Sequence, residues 1–421
     1  MSSLRRIPFA WLLCVALVAV EAAHAQAPPP PTGPLTMQQA VEQALAHNPV
    51  LLAAQQNLLS MKGQEVQAGV RANPNLYVAG SDITLSANNP ASPYGYDVGI
   101  NRLFERGQKR RWRLDIAYAQ TAQTEGQYHD QMRQVTLQVK QSFTTLLLAK
   151  ATLNLAQDNL RDYRHVLQIN QDRYNAGDIG KLDFERLDLQ LAQFESDETS
   201  AEQNLVQASD QLQTLIGYQQ PTRSFDISGE LVPPPVSTTL TDLEQKALAA
   251  RPDYQAAQAA VRVADANVKL AYANGTTDPT IEGDYQRAAG FNSAGFDISI
   301  PIRIFDRNQG NKDTNKYLAQ SSRFSEVAAQ NQVYSDVDQA WIGYTTSKVL
   351  SDRYNGHYLA EAKDVLSIAQ FAYEHGGLAL LDYLSAVQDD RTTSLNALNS
   401  YAQTWMAIHQ LSAASATEVV P

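Results

Sequence analysis

Two stretches of the chain share one pattern: YNAGDIGKLDFERLDLQ begins at Tyr174, and YEHGGLALLDYLSAVQ begins at Tyr373. Each has a tyrosine, two variable residues and a glycine, followed shortly by leucine, aspartate and an aromatic residue. The glycines and the aspartates are each 199 positions apart: Gly177 with Gly376, and Asp183 with Asp382. Glycine permits the left-handed conformation that ends many helices. We therefore predict that Gly177 and Gly376 lie at the tips of two helical hairpins.

Three further landmarks occur twice in the same order: a proline inside a helical segment, an Asn-Pro or Asp-Pro turn, and an LFERGQ or IFDRNQG corner. They recur after 203, 205 and 201 positions: Pro49 with Pro252, Asn73 with Asp278, and Phe104 with Phe305. Self-similarity at a nearly fixed distance indicates tandem structural repeats. We predict a first repeat over residues 35–230, a proline-containing linker over 231–242, a second repeat over 243–412 and a tail over 413–421.

The first residues have the features of a secretory signal peptide. MSSLRR is positively charged, IPFAWLLCVALVAV is apolar, and AHA ends at Ala25 with a small-residue cleavage site. We predict a signal peptide over residues 1–25 and a stiff, proline-rich lead-in over 26–34. A lipoprotein signal at Cys14 is the alternative, but Cys14 follows Leu13, where a lipobox has a small residue. Cleavage after Ala25 would leave no cysteine and hence no disulfide.

The composition argues against several functions. The formal net charge is −11, and no basic cluster suits nucleic acid, so we expect no nucleic-acid partner. No later segment has about 18 consecutive apolar residues, as a membrane-spanning helix requires. The histidines have no metal-ligand spacing, and neither a catalytic constellation nor a phosphate-binding loop is present. We expect no enzyme activity, no cofactor and no metal site.

Each half contains two stretches of about ten residues with strand character. YGYDVGINRLF and FDISIPIRI alternate strictly between apolar and other residues, which is typical of a strand with two different faces. Less regular stretches from Asn75 and Thr280 precede them, which gives four strands per chain. The predicted lipid-facing residues are Tyr94, Tyr96, Val98, Ile100, Phe296, Ile298, Ile300 and Ile302.

Long helices follow the strands. Apolar residues recur every seven positions from Met132 to Tyr174, with mostly small residues three positions later. This spacing is typical of a coiled-coil seam. A helix over residues 108–174 would be roughly 100 Å long at 1.5 Å per residue. A second seam runs back after Gly177, so each repeat is predicted to contain two strands and a long helical hairpin.

The number of strands limits what one chain can build. A tilted strand of about ten residues is long enough to cross an outer membrane. A sheet in lipid must close on itself, and small barrels need about eight strands. Four strands are too few. If they span the membrane, several copies of the chain must share one barrel in contact with outer-membrane lipid.

The repeated helix starts, the FERGQKRR and FDRNQGN corners and the two YxxG…LD tips resemble the TolC-like outer-membrane efflux protein family. The corner followed by KRRWRLDIAYAQ is most similar to its heavy-metal (CzcC-like) branch. The resemblance extends over about residues 35–412. It implies a mainly α fold with a transmembrane β part: a homotrimer with a shared 12-stranded β-barrel, continued by a long α-helical coiled-coil tunnel in the periplasm of a Gram-negative bacterium. It also implies a periplasmic adaptor (membrane fusion protein) and an inner-membrane pump of the resistance-nodulation-division type as partners.

The resemblance also assigns residues to a gate at the tunnel tip. Asp382 matches the first aspartate of a ring that narrows the tunnel in family members, and such a ring favours cations. Ser385 stands where drug-exporting relatives often have a second aspartate, and Leu378 where they have a latching arginine. The alternative for Asp183 and Asp382 is an ordinary first-turn role at a helix N-terminus. His375 would add a protonatable group near this mouth.

We therefore expect a passive outer-membrane duct of a tripartite efflux system that exports heavy-metal cations. Drug or multidrug efflux and type I secretion are alternatives with the same architecture. A soluble periplasmic coiled-coil adaptor or scaffold is an alternative of another class, because it would use the same heptads. Such an adaptor has no need of the paired strands in each half. A secreted hydrolase is a more distant alternative, which lacks catalytic residues.

Overall fold

The computed structural model describes residues 33–81, 95–288 and 290–420. The predicted signal peptide, the lead-in up to residue 32 and Tyr94 lie outside these residues. The first half contains α1 (Met37–His47), α2 (Pro49–Gly69), β1 (Asn75–Ser81), β2 (Gly95–Leu103), α3 (Lys109–Ala176) and α4 (Lys181–Ile216). The second half contains α5 (Leu240–Ala250), α6 (Pro252–Asn274), β3 (Thr280–Ala288), β4 (Phe291–Ser299), α7 (Gln309–Arg353), a π-helical turn (Tyr354–Tyr358), α8 (Leu359–Glu374) and α9 (Leu380–Ser415).

Helix α3 confirms the predicted long helix. It has 68 residues, which corresponds to roughly 100 Å at 1.5 Å per residue. Val139, Leu146 and Leu160 of the predicted seam are buried, because α4 and the neighbouring helices pack along it. The helix begins after Gln108, which has a φ of 60°, and ends at Gly177, which has a φ of 85°. The sequence analysis placed its C-terminal end two residues too early.

The second half differs from the first in its outgoing helix. There, α7 and α8 are separated by the π-helical turn Tyr354–Tyr358, whereas α3 is continuous. Mid-helix π turns interrupt the regular i→i+4 hydrogen-bond ladder and often bend a helix. In the described part of the chain, no helix combines the length and the apolar character that a membrane span requires.

Each half has its own hydrophobic core where the hairpin meets the short helices. Phe143 and Leu212 are buried in the first core, and Val337 and Leu411 in the second. Full burial of a side chain of this size contributes roughly 1.5–3 kcal/mol. These two cores hold the N-terminal short helices of each half against the bases of the hairpins.

The residues before the two repeated prolines fasten these cores in different ways. Asn48 caps α2 and donates from its side chain to the Leu215 carbonyl at 2.8 Å. Its counterpart Arg251 is almost fully buried and bonds Asp253 at 2.5 Å and Asp336 at 2.7 Å. The same position therefore uses a neutral amide in one half and a buried cation in the other.

The four strands form one antiparallel sheet in the order β1-β2-β3-β4, which confirms the predicted number of strands among the described residues. The prediction for the last strand was wrong at its C-terminal end. Strand β4 ends at Ser299, so Ile300 and Ile302 lie in an irregular segment beyond it. The sheet neighbour β3 begins opposite Ser299, and Pro301 has no N–H to donate, so nothing in the described part of the chain extends the ladder.

Candidate functional site

The strand register gives the sheet one apolar face. Directly paired residues lie on the same face of a sheet, and faces alternate along each strand. The register therefore places these residues on one face: Leu76, Val78, Tyr96, Val98, Ile100, Ile281, Tyr285, Phe296 and Ile298. Leu76, Val78 and Phe296 are each more than 70% exposed in the single chain. The predicted lipid-facing residues within the described strands thus share a single exposed face.

The opposite face is polar and acidic. The same register places four carboxylates on it: Asp97, Glu282, Asp284 and Asp297. The basic strand residues in the described part of the sheet, Arg102 and Arg287, both lie on the apolar face instead. The strict alternation in YGYDVGINRLF and FDISIPIRI predicts this face for Asp97 and Asp297. The sequence analysis missed Glu282 and Asp284, although their i, i+2 spacing in TIEGDYQRA was a signal.

Glycines allow large polar side chains to lie flat on the acidic face. A Cβ on Gly99 would come within 2.5 Å of the Tyr77 ring, which crosses β2 at this point. The Tyr77 hydroxyl donates to Glu282 on β3 at 2.6 Å. Similarly, a Cβ on Gly295 would lie 2.6 Å from a carboxylate oxygen of Asp284. The acidic side chains are thereby held against the sheet, and the space above it is left open.

A corner with two ion pairs connects the sheet to α3. Lys109 bonds the Asp278 carboxylate at 2.5 Å and the Thr276 carbonyl at 2.9 Å, and its side chain is buried. The Arg106 N–H donates to the other oxygen of Asp278 at 2.8 Å. Burial alone would raise the pKa of Asp278, but the Arg106 N–H and the Lys109 ammonium lower it below its ordinary value. This corner joins the first half to the Asp-Pro turn of the second.

Glu105 and Arg113 form the other ion pair of this corner. The guanidinium makes two hydrogen bonds to the carboxylate, at 2.5 and 2.8 Å. Such bidentate pairs are stronger than single neutral hydrogen bonds. The hydrogen bond from Arg113 lowers the pKa of Glu105 below its ordinary value of 4.5. The first turn of α3 is thereby fixed to the end of β2.

The hairpin tips lie at the other end of the long helices. Asp183 is in the first turn of α4 and Asp382 in the first turn of α9. Asp382 and Ser385 are exposed, and Asp183 is partly exposed. Gly376 has a φ of 73°. Neither aspartate forms an ion pair in the described part of the chain, so both carboxylates can face solvent or a lumen.

Two other predicted tip residues make local contacts. Leu378 packs against the cluster that contains Tyr373 and Tyr383. The Nδ1 of the exposed His375 lies 2.8 Å from the Phe371 carbonyl, to which its N–H donates when Nδ1 carries the proton. Leu378 therefore contributes apolar packing at the position where the resemblance suggested a latching arginine.

Direct contacts join the two hairpins near their tips. The Tyr373 hydroxyl donates to the side chain of Asn170 at 2.7 Å in a buried position, which links α8 to α3. Arg391 of α9 pairs with Asp197 of α4 at 2.5 Å. Burial raises the pKa of Asp390, the neighbour of Arg391, although Lys363 acts in the opposite direction. The hairpins therefore pack as one unit in this structure.

Over the described ranges, no three His, Cys, Asp or Glu side chains come together as a metal site. The acidic face is extended and open, so its four carboxylates suit passing cations better than tight coordination of one ion. Carboxylates arranged around a narrow path attract cations and repel anions. The acidic face is therefore suited to line a path for cations.

Comparison with known proteins supports the same conclusion. The family model described as "Outer membrane efflux protein" matches residues 40–218. The cobalt-zinc-cadmium resistance protein CzcC of Cupriavidus metallidurans is 26% identical over 89% of this chain and 88% of its own length. The cation efflux system protein CusC of Escherichia coli is 25% identical over 59% of this chain and 56% of its own length.

Solved structures share the fold. A crystal structure of CusC superposes with a TM-score of 0.77 at 21% identity, over 90% of this chain and 91% of the other. The outer membrane protein VceC of Vibrio cholerae gives a TM-score of 0.75 at 17% identity, over 91% of this chain and 97% of the VceC chain. The fold class is the one expected: mainly helical, with one four-stranded antiparallel sheet and two long helical hairpins. The chain is therefore similar to outer membrane efflux proteins: to the family model over residues 40–218, to CzcC over 89% of its length, and in fold to CusC over 90% of its length.

Proposed function

We propose that this chain is the outer-membrane channel of a tripartite efflux system and that three copies form one duct for heavy-metal cations. The observation that carries the proposal is the two-faced sheet, apolar on one side and lined by four carboxylates on the other. CzcC is a cobalt-zinc-cadmium resistance protein and CusC a cation efflux system protein, which supports this cargo.

The physical argument follows from the geometry of a shared barrel. With the apolar face toward lipid, the acidic face of each chain lines the water-filled interior. Three copies would place twelve carboxylates around one path, four from each chain. Low-dielectric walls strengthen the field of such charges, so cations are concentrated in the interior and anions are depleted. The duct itself needs no energy source or catalytic group. A periplasmic adaptor and an inner-membrane pump of the resistance-nodulation-division type would supply cargo and energy.

Ion selectivity in planar lipid bilayers tests the lining directly. We expect the purified protein to be cation-selective, as measured by its reversal potential in a salt gradient. Asp284→Asn combined with Asp297→Asn should move the reversal potential toward zero. The matched control is Arg287→Gln, because Arg287 is on the same sheet but on its apolar face. An unchanged reversal potential in the double variant would contradict the proposed lining.

The cargo is tested separately. A deletion strain is compared with its parent on graded cobalt, zinc and cadmium salts and on a panel of antibiotics. We expect metal sensitivity, restored by the wild-type chain on a plasmid. Sensitivity to antibiotics alone would indicate drug efflux instead.

Membrane fractionation tests the alternative that the protein is a soluble periplasmic adaptor. An adaptor would be released by osmotic shock, whereas the channel should require detergent and migrate as a heat-dissociable trimer.

A further inference from the structure

The ends of α3 and α6 nearest the sheet share a tryptophan that is in contact with two cations. Helix α6 packs against α3 on one side and against α7 on the other. The Arg111 guanidinium lies 5.2 Å from the centroid of the Trp112 ring, and the Lys269 ammonium of α6 lies 5.1 Å from it. Cations at this distance are attracted by the face of an aromatic ring. Trp112 therefore holds a positive charge from each of two helices.

A second aromatic ring, less than one turn further along α6, does the same for α7. The ammonium groups of Lys312 and Lys316 lie 5.3 and 5.8 Å from the centroid of the Tyr272 ring. A Cβ on Gly275 would come within 2.8 Å of the Lys312 nitrogen, so the glycine allows this lysine to lie across the end of α6. We call the four cations and two rings the basic–aromatic cluster: Arg111, Trp112, Lys269, Tyr272, Lys312 and Lys316.

The basic–aromatic cluster has few counter-charges, although the chain as a whole has a formal net charge of −11. Within the described ranges, no carboxylate forms an ion pair with Arg111, Lys269 or Lys312. Arg111 donates to the neutral side chain of Gln108 instead. Lys316 alone has an acidic partner, an exposed aspartate at 3.2 Å. The cluster is thus a concentration of positive charge that an anionic ligand would neutralise.

The packing of α6 indicates which side of the helix layer the cluster occupies. The buried alanines of α6 form two stripes, one of Ala259, Ala266 and Ala273 and the other of Ala264 and Ala271. At 3.6 residues per turn, the stripes are about 150° apart on one side of the helix and about 210° apart on the other. A helix in a closed ring has its neighbours closer together on the side of the axis. Lys269 and Tyr272 lie within the wider arc, so in the proposed duct the cluster faces outward.

The depth of the cluster matches the headgroup layer of a bilayer. Each of its residues is within eight positions of the sheet-proximal end of its helix, or within roughly 12 Å at 1.5 Å per residue. The headgroup layer adds roughly 5–8 Å to each side of the hydrocarbon core. The long side chains of lysine and arginine can bridge the remaining distance. Tryptophan and tyrosine are enriched at this boundary in membrane proteins.

The apolar face of the sheet leads directly to the cluster. Arg102 is the last charged residue on that face of β2, and its guanidinium lies 5.3 Å from the centroid of the Phe104 ring. Phe104 is itself exposed, and it immediately precedes the corner from which α3 begins. Lipid in contact with the apolar face would therefore have its headgroups beside the basic–aromatic cluster.

We propose that the basic–aromatic cluster binds the phosphate groups of anionic phospholipids in the periplasmic leaflet of the outer membrane. This inference rests on the proposed function, because it requires the apolar face to be in lipid. Arginine and lysine form charge-assisted hydrogen bonds with phosphate oxygens. Each basic residue near an anionic membrane surface strengthens binding roughly fivefold. The two rings, apolar with one polar edge, suit the boundary between headgroups and acyl chains. Bound headgroups would fix the depth of the channel in the bilayer.

Spin-labelled lipids measure the headgroup preference directly. The purified full chain is reconstituted in phosphatidylcholine vesicles with a trace of spin-labelled phosphatidylglycerol or spin-labelled phosphatidylcholine. The motionally restricted fraction of each label, read by electron spin resonance, gives the relative affinity of the two lipids for the protein. We expect the wild type to prefer phosphatidylglycerol several-fold. Arg111→Gln combined with Lys269→Gln and Lys312→Gln should remove at least half of this preference.

The matched control removes the same charge elsewhere. Arg161→Gln combined with Arg164→Gln and Lys181→Gln neutralises three exposed cations of the first hairpin, roughly 75 Å or more along the helices from the cluster. This variant should keep the wild-type preference. A single pair of substitutions covers the case in which the triple variant does not assemble. Lys269→Gln should lower the preference, whereas Lys269→Arg, which retains the charge, should preserve it.

The outcomes separate the lipid site from the channel function. A wild-type protein that requires detergent for extraction but shows no preference for phosphatidylglycerol would overturn the lipid site and leave the channel function standing. An unchanged preference in the variant of the cluster, or an equal loss in the control, would overturn the assignment to these residues. Release of the wild-type protein by osmotic shock would overturn the proposed function itself.

Discussion

Tyr77 on β1 and Glu282 on β3 are joined by a 2.6 Å hydrogen bond that passes over the strand between them. The bond is possible because Gly99, at that point of β2, has no side chain under the tyrosine ring. Three strands from both halves of the chain are thereby connected on the acidic face. The hydrogen bond both orients Glu282 and links two strands that are not neighbours.

A side chain at residue 99 should break this connection. We expect Gly99→Val to displace Tyr77 and to lower the stability of the detergent-solubilised trimer by about 1–3 kcal/mol, the usual cost of overpacking. The measurement is the temperature at which the trimer dissociates on a gel. Gly283→Val is the control, because a Cβ there meets no atom within 4 Å. Equal effects of the two substitutions would show that the Tyr77 contact has no special importance.

The buried guanidinium of Arg251 should be far more sensitive to mutation than an exposed one. Arg251→Met leaves the carboxylates of Asp253 and Asp336 without their partner. We expect a loss of about 3–5 kcal/mol, as found when one member of a buried ion pair is removed. The comparison is Arg323→Met, which removes an exposed pair with Asp265 and should cost less than about 1 kcal/mol. Urea titration followed by circular dichroism measures both values, and similar losses would contradict the prediction.

The corner at the start of α3 should weaken in acid. The pKa of Glu105 is lowered in the folded state by its hydrogen bond with Arg113. The unfolded state therefore binds the proton more readily. The stabilisation is complete above the unfolded pKa of about 4.5 and is lost as the pH falls through the lower folded pKa. The difference in melting temperature between the wild type and Glu105→Gln should therefore shrink below about pH 4.5. A difference that is constant with pH would contradict this.

The two tip aspartates should differ in their effect on ions. The family resemblance assigns a ring position to Asp382, and Asp382 is the more exposed of the pair. We expect Asp382→Asn to reduce block by divalent cations in planar bilayers by several-fold, and Asp183→Asn to change it less. Equal or absent effects would show that both residues only stabilise the N-termini of their helices. Circular dichroism spectra of the two variants provide the folding control.

The sequence predicted local features well and long-range registers poorly. The heptads of α3 predicted its ends to within two residues, because a coiled-coil seam depends on residues that are close together in the sequence. The Tyr77–Glu282 bond spans 205 positions, and only the strand register brings its ends together. Glu282 and Asp284 were missed because Gly283, which lies on the apolar face, interrupts the apolar alternation of β3. Ile300 and Ile302 were assigned to a strand because their spacing is that of a strand, but β3 begins opposite Ser299 and offers them no partner.

The π-helical turn Tyr354–Tyr358 gives the two hairpins unequal mechanical properties. The outgoing helix of the first hairpin is an unbroken rod of 68 residues, whereas that of the second is jointed partway along its length. An equal sideways load on both tips would therefore bend the second arm at the joint, while the first would act as the rigid strut. The bending of the two hairpins is thus concentrated in the five residues of this turn, which lie in the sequence well away from both the acidic face and the hairpin tips.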